Sequence, residues 1–199
     1  GPLDQAEQVT MWAHVERALA HIERNCLPGT ALISYGHGDW NDSMQPADVK
    51  LRDELCSSWT VALHYQMLSL MSTGLAAAGR APEAAHLARQ AARVASDFRR
   101  FLLVDEIVPG YLHARDDGGR DYLLHPRDQV TGLRYSLLPI PHAVLTGLLS
   151  PSQMARHFEL VDRHLRGPDG ARLFDKPMAY HGGTMRLFQR AESAAFFGR

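Results

Sequence analysis

The chain is poor in the residues that mark several protein classes. Only two cysteines, Cys26 and Cys56, occur among 199 residues, and they form no CxxC pair. That spacing offers neither a disulfide framework nor a thiolate metal site, and a reducing cytosol is the default setting. Acidic and basic residues nearly cancel, 22 against 21, for a net charge of −1. No basic surplus exists to hold a phosphate backbone or an anionic lipid surface, so nucleic acid is not an expected partner. No apolar run approaches the roughly 18–20 residues that cross a bilayer, and no signal-peptide pattern opens the chain. Neither membrane insertion nor secretion is expected, and the location expected is cytoplasmic. Glycine-rich nucleotide motifs and HExxH are also missing, so no metal and no organic cofactor are expected.

What remains is an ordinary globular composition, 45% apolar and 22% charged, enough for one domain over 1–199. Helical periodicity dominates. Thr10 to Asn25 carries Val15, Leu19 and Ile22 at three- and four-residue spacing and is closed by Pro28-Gly29. Ala31 to Tyr35 reads as a short β-like run, and Glu54 to Ala78 as a long apolar helix stopped by Gly79. Within it Met67, Leu68, Leu70 and Met71 form an expected core stripe. Pro82 suits the first turn of a helix reaching about Val104. "IVPGYLHAR" and "DYLLHP" flank the turn "DDGG" as a β-like pair. Ser150 or Ser152 can cap the helix in "SPSQMARHFELVDRHL". A helix begins near Gln189 just as the chain stops, which suggests a piece of a longer protein. The class expected is mainly α, with long loops rich in glycine, proline and polar residues, where function concentrates.

The most informative loop is "GHGDWNDSM", residues 36–44. Asp42 to Gln45 fits a capping box, and Asx-turns would use the aspartates. A calcium loop does not fit, because Met44 stands at the glycine position and Lys50 at the bidentate one. None of these explains Trp40. An indole in a polar turn suits a sugar site: its face packs against the apolar face of a pyranose, while His37, Asp39 and Asn41 bond hydroxyls. A carboxylic acid beside that platform has its charged form desolvated and is held protonated, as a general acid for a glycosidic oxygen must be.

The stretches "YGHGDWNDSM" and "ELCSSWTVALHYQ" resemble glycoside hydrolase family 94, the cellobiose-phosphorylase-like enzymes. "GYLHARDDGG", "HAVLTGLLSPSQMARHFELVDRHL" and "GARLFDKP" follow in that family's order. The tail "KPMAYHGG…FQRAESAAFFGR" looks closest to the branch acting on β-1,2-linked oligoglucans. The resemblance implies part of an (α/α)6 barrel, its C-terminal half, without the family's β-sandwich or donor-clasping loops. It implies inverting phosphorolysis of a β-linked gluco-oligosaccharide, with inorganic phosphate as co-substrate and α-glucose 1-phosphate as product. Asp42 becomes the acid and Trp40 the donor-glucose platform; phosphate, already charged, needs no second carboxylate as base.

The family usually holds phosphate with a Thr-Gly or Thr-His pair. Ala191-Glu192 followed by Ser193 stands at that place here. Ser193, with Arg134 and His125 in the long loop, is the expected phosphate contact, and Glu192 a sugar contact. A carboxylate beside phosphate is otherwise repulsive, so an inverting hydrolase using Glu192 as base is the rival reading. For Arg134, Arg127 and His125 the alternative is a surface ion pair with Asp128 or Asp121. A third reading is a catalytically incomplete sugar-binding piece that assembles with another chain or a copy of itself.

Overall fold

A computed structural model describes residues 9–36, 44–176 and 187–188. Helix α1 spans Met11–Arg24; the Thr10 hydroxyl caps it by accepting from the amide of Ala13 at 3.2 Å. No α1 residue is fully buried, although Leu19 packs against the main core, so its apolar stripe is only half covered. His14 and His21 are exposed. After α1 the chain makes only an isolated bridge, Cys26 to Ile33, where the sequence suggested a strand.

The expected helix from Glu54 to Ala78 is in fact three elements. Helix α2 covers Val49–Glu54, strand β1 covers Leu55–Ser57, and helix α3 covers Ser58–Ala77. All three β1 residues are buried, with Cys56 opposite Leu112 and Leu55 opposite His113 of strand β2, Tyr111–Ala114. That pairing overrides helix propensity. It also frees Ser57 to cap α3, its hydroxyl accepting from the Thr60 amide at 3.4 Å.

Helix α3 ends at Gly79, whose φ of 76° turns the chain into helix α4, Ala81–Phe101. The three-residue link makes the pair antiparallel. Between them lies the main core: Val61, Leu68, Leu87, Val94 and Phe98, joined by Leu148 and Leu149. Leu70, expected in the core stripe, is instead 66% exposed, while Leu68 is buried and Met67 and Met71 are partly covered. Strand β3, Arg120–Leu123, completes a three-stranded antiparallel sheet ordered β1-β2-β3.

Helix α5, Pro139–Leu145, leads to α6, Pro151–Leu160. Of the two candidate serines Ser150 is the cap, in a capping box with Gln153. A π-helical turn, Val161–Leu165, and a two-residue hairpin of β4, Arg166–Gly167, and β5, Gly170–Ala171, follow. The fold is mainly α with short strands. Among the described residues no helix is long and apolar enough to cross a membrane.

Candidate functional site

Residues 37–43 lie outside the described residues, and with them His37, Asp39, Trp40, Asn41 and Asp42; Glu192 and Ser193 do as well. What the fold defines is the frame around them. On the near side of the loop, the amide of Tyr35 donates to the Leu55 carbonyl at 2.6 Å, and that of Gly36 to the Arg52 carbonyl at 2.8 Å. Gly36 has φ 61°, a conformation glycine adopts without strain. On the far side Met44 is fully buried.

Both flanks enter a second core, of Tyr35, Met44, Leu51, Leu55, Tyr111 and Leu123, which also takes Leu187 and Phe188. Pro46 bridges to Phe188, and the Ala47 amide donates to the Leu187 carbonyl at 2.9 Å. The flank of the Asp39–Asp42 loop and the segment just before Glu192 are therefore held side by side. The capping-box reading of Asp42 falls on residues outside those described. The first α-helix after Met44 starts at Val49 and is capped by Asp48, whose carboxylate accepts from the Leu51 amide at 3.0 Å.

The long loop joins the same core through Leu124 and Leu133. Asp128 organises it, accepting from the amides of Leu124 at 2.7 Å, Val130 at 2.7 Å and Thr131 at 2.9 Å. Arg127 pairs with Asp105 at 2.6 and 2.7 Å, not with Asp128 or Asp121. Arg134 is exposed; its amide donates to Asp175 at 2.9 Å, and its guanidinium makes no ion pair among the described residues. His125 is fully buried. Its Nδ1 accepts from the Arg127 amide at 3.1 Å and its Nε2 lies 3.1 Å from the Val104 carbonyl, which together define a neutral ring protonated at Nε2. Burial pushes its pKa down, against a smaller opposing effect of the Val104 bond. The ring nitrogens of His125 are thus engaged with backbone, whereas Arg134 is open to solvent.

One constellation escaped the sequence reading. His113 places Nε2 3.3 Å from Glu54 and Nδ1 3.3 Å from Asp121, with its side chain 12% exposed. Lys50 bonds Glu54 at 3.2 Å and also Asp116, while Arg115 bonds Asp121 at 2.7 Å. His113 and Asp121 are cross-strand partners. The alternation of "YLHA" against "RDYL" around the "DDGG" turn was the available signal. Among the described residues no three His, Cys, Asp or Glu side chains are grouped to hold a metal ion.

The chain is similar to a solved glycoside hydrolase family 78 rhamnosidase of Bacillus sp. GL1, with a TM-score of 0.58 over 82% of this chain and 15% of that one, at 20% identity. That likeness concerns fold alone. In sequence the chain is 38% identical over 194 residues to a 1,2-beta-oligoglucan phosphorylase of Listeria innocua serovar 6a, covering 97% of this chain. It spans 17% of that relative's length. The relationship to phosphorylases drawn from the motifs therefore holds along nearly the whole chain. No family model matches it.

Proposed function

We propose that the chain is part of the catalytic (α/α)6 barrel of a family-94-type phosphorylase, acting inside the cell on β-linked gluco-oligosaccharides, β-1,2-linked foremost. The observation that carries this is the 38% identity to an oligoglucan phosphorylase across 97% of the chain. The anchoring of Pro46 and Ala47, just after the Asp39–Asp42 loop in sequence, beside Leu187 and Phe188 supports it.

In this reading Trp40 carries the donor glucose, and His37, Asp39 and Asn41 bond its hydroxyls. A phosphate oxygen attacks the anomeric carbon from the face opposite the leaving group. The glycosidic C–O bond breaks, its electron pair stays on oxygen, and that oxygen takes the Asp42 proton. Inversion at carbon gives α-glucose 1-phosphate, and Asp42 is reprotonated from solvent. Arg134 and Ser193 supply charge and a hydroxyl to phosphate. His125 acts only through the loop it braces, because backbone groups engage both its ring nitrogens.

The test incubates the enzyme carrying this segment with sophorose, laminaribiose and cellobiose, with and without phosphate. Glucose 1-phosphate must form only with phosphate, and Asp42→Asn must lower the rate on the order of 10²–10⁴-fold with the fold intact. Free glucose formed equally well without phosphate would overturn the reading.

The assembling sugar-binding piece is the second reading, favoured by one observation. Met11, Val49, Leu70, Leu145 and Phe158 are 79%, 68%, 66%, 78% and 57% exposed, apolar side chains that the rest of a barrel or a second copy would cover. Light scattering tests this second reading: a tight monomer that binds no apolar dye argues against a piece that assembles with another chain or a copy of itself.

A further inference from the structure

His113 stands on β2 between a carboxylate of α2 and one of β3. Its Nε2 lies 3.3 Å from Glu54 and its Nδ1 3.3 Å from Asp121. A neutral imidazole has one N–H and one lone pair, so one of the two carboxylates would then face a lone pair. Only the imidazolium donates to both. Each carboxylate also serves a cation, Lys50 at 3.2 Å for Glu54 and Arg115 at 2.7 Å for Asp121, so the bridging proton belongs to the ring. The other charged groups around the bridge are Asp48 at the N-cap of α2, and Asp116 and Asp117 in the hairpin turn, which pair with Lys50 and Arg115. From β1 the neighbour is Leu55, opposite His113, and from the loop after β3 it is Val130.

The bridge ties the end of α2 to the hairpin, and that end of α2 carries Tyr35 and Gly36. Glu54 is the last residue of the helix. Beside it, the carbonyls of Arg52 and Leu55 accept the amides of Gly36 at 2.8 Å and Tyr35 at 2.6 Å. A shift of Glu54 is therefore passed through adjacent backbone to the two residues that precede the His37–Asp42 loop. We propose that His113 is a positioning residue and a pH-sensitive clamp: as the imidazolium it holds the end of α2, and with it Tyr35 and Gly36, and as the neutral ring it lets them loosen. The role of the loop that follows rests on the phosphorylase reading above. A bridge made by the protonated ring is present at low pH and is lost as pH rises past the ordinary histidine range, around 6.5.

The test is hydrogen exchange over Tyr35 and Gly36 in the enzyme carrying this segment, at about pH 5.5 and about pH 8, corrected for the intrinsic pH dependence of exchange. Protection in the wild type should be about tenfold lower at the higher pH, the equivalent of one lost charge-assisted hydrogen bond. In Glu54→Gln the amide can donate to an unprotonated Nε2 while its oxygen still accepts from Lys50, so protection should be the same at both pH values. His64, His125 and His157 are common to both proteins and cancel in the comparison. His113→Phe, which fills the space of the ring without its nitrogens, should show the low protection of the high-pH wild type throughout. Equal wild-type protection at both pH values overturns the proposal, as does a pH dependence that survives in Glu54→Gln. Low protection of Glu54→Gln at both pH values overturns it too, because the carboxylate and not the ring proton then holds the flank. High protection of His113→Phe does the same. Exchange needs no turnover, so the clamp is decided whether or not glucose 1-phosphate forms, and absence of that product defeats the phosphorylase reading alone.

Discussion

The amide of Ala47 donates to the carbonyl of Leu187 at 2.9 Å, joining positions 140 residues apart in sequence (187 − 47). One bond of this kind contributes only about 1 kcal/mol. Its importance is positional. It fixes Pro46 and Ala47, which follow the Asp39–Asp42 loop in sequence, against Leu187 and Phe188, which precede Glu192, and Phe188 completes the clamp with its ring centroid 5.4 Å from that of Tyr111.

Phe188 is 1% exposed, and its truncation leaves a cavity that the second core must absorb. Phe188→Ala is expected to cost about 3–5 kcal/mol of stability, with a fall in kcat because both site segments lose their anchor. Phe158, 57% exposed, is the matched control; Phe158→Ala should stay within about 0.5 kcal/mol. Urea midpoints give both numbers. Equal effects would mean that the second core does not bear on the site.

Three histidines, His64, His125 and His157, have pKa values pushed down, in each case chiefly by burial. His157 shows the cause: Nδ1 lies 2.7 Å from the Gln153 carbonyl and Nε2 accepts from the Val108 amide at 3.1 Å, which requires a neutral ring. A depressed folded pKa means that the unfolded chain takes up the proton first as pH falls. Stability is therefore full above the ordinary value of 6.5 and is lost as pH drops from there through the folded values. Denaturation midpoints should fall between about pH 7 and pH 5. His64→Leu should make that slope shallower at little cost at neutral pH, since its buried Nδ1 has no partner. A midpoint that rises on acidification would refute the assignment.

Asp128 holds the long loop by three backbone amides and the Thr131 hydroxyl. Asp128→Ala leaves those donors without an acceptor and should cost on the order of 2–3 kcal/mol. Asp128→Asn, which keeps one carbonyl oxygen, should recover part of it. If the proposed phosphorylase activity holds, with Arg134 on phosphate, the alanine variant should raise the phosphate KM more than the sugar KM, because Arg134 lies on the same loop. Hydrogen exchange over residues 124–134 reads the loosening directly, and unchanged protection would show that the carboxylate is dispensable.

Much of this frame was legible because it rests on local chemistry. Thr10, Ser150 with Gln153, Pro82 and Gly79 mark helix ends through their own side chains or backbone freedom, and the structure uses each of them so. What escaped was set by distant partners. Leu55 to Ser57 reads as helix in isolation and becomes a strand because Tyr111 to His113 pairs with it. Leu70 fits the helical stripe, but its side of α3 has no covering element among the described residues, and it stays exposed. The Glu54–His113–Asp121 group needed the hairpin register and the β1 pairing together. The loop from His37 to Asp42 was legible only as chemistry, a tryptophan among polar turn residues, and lies outside the described residues.

Glu192 decides between the two nucleophiles, and the clamp at Leu187 and Phe188 brings the chain to within five residues of it (192 − 187). In a phosphorylase its carboxylate must face sugar hydroxyls or an arginine, because a free carboxylate beside phosphate is repelled. Glu192→Gln should then weaken acceptor-sugar affinity while turnover still requires phosphate. In an inverting hydrolase Glu192 is the base for water, and its carboxyl stands roughly 6.5–9.5 Å from that of Asp42. The same substitution would then lower phosphate-independent release of glucose by about 10²–10⁴-fold. The two outcomes share one assay: product analysis of wild type and Glu192→Gln on sophorose, with phosphate present and with it removed. Glucose 1-phosphate from both proteins, with a higher acceptor KM in the variant, is the result expected. Glucose released by the wild type without phosphate, and lost in the variant, would transfer the chain to the hydrolases, with Asp42 still its acid.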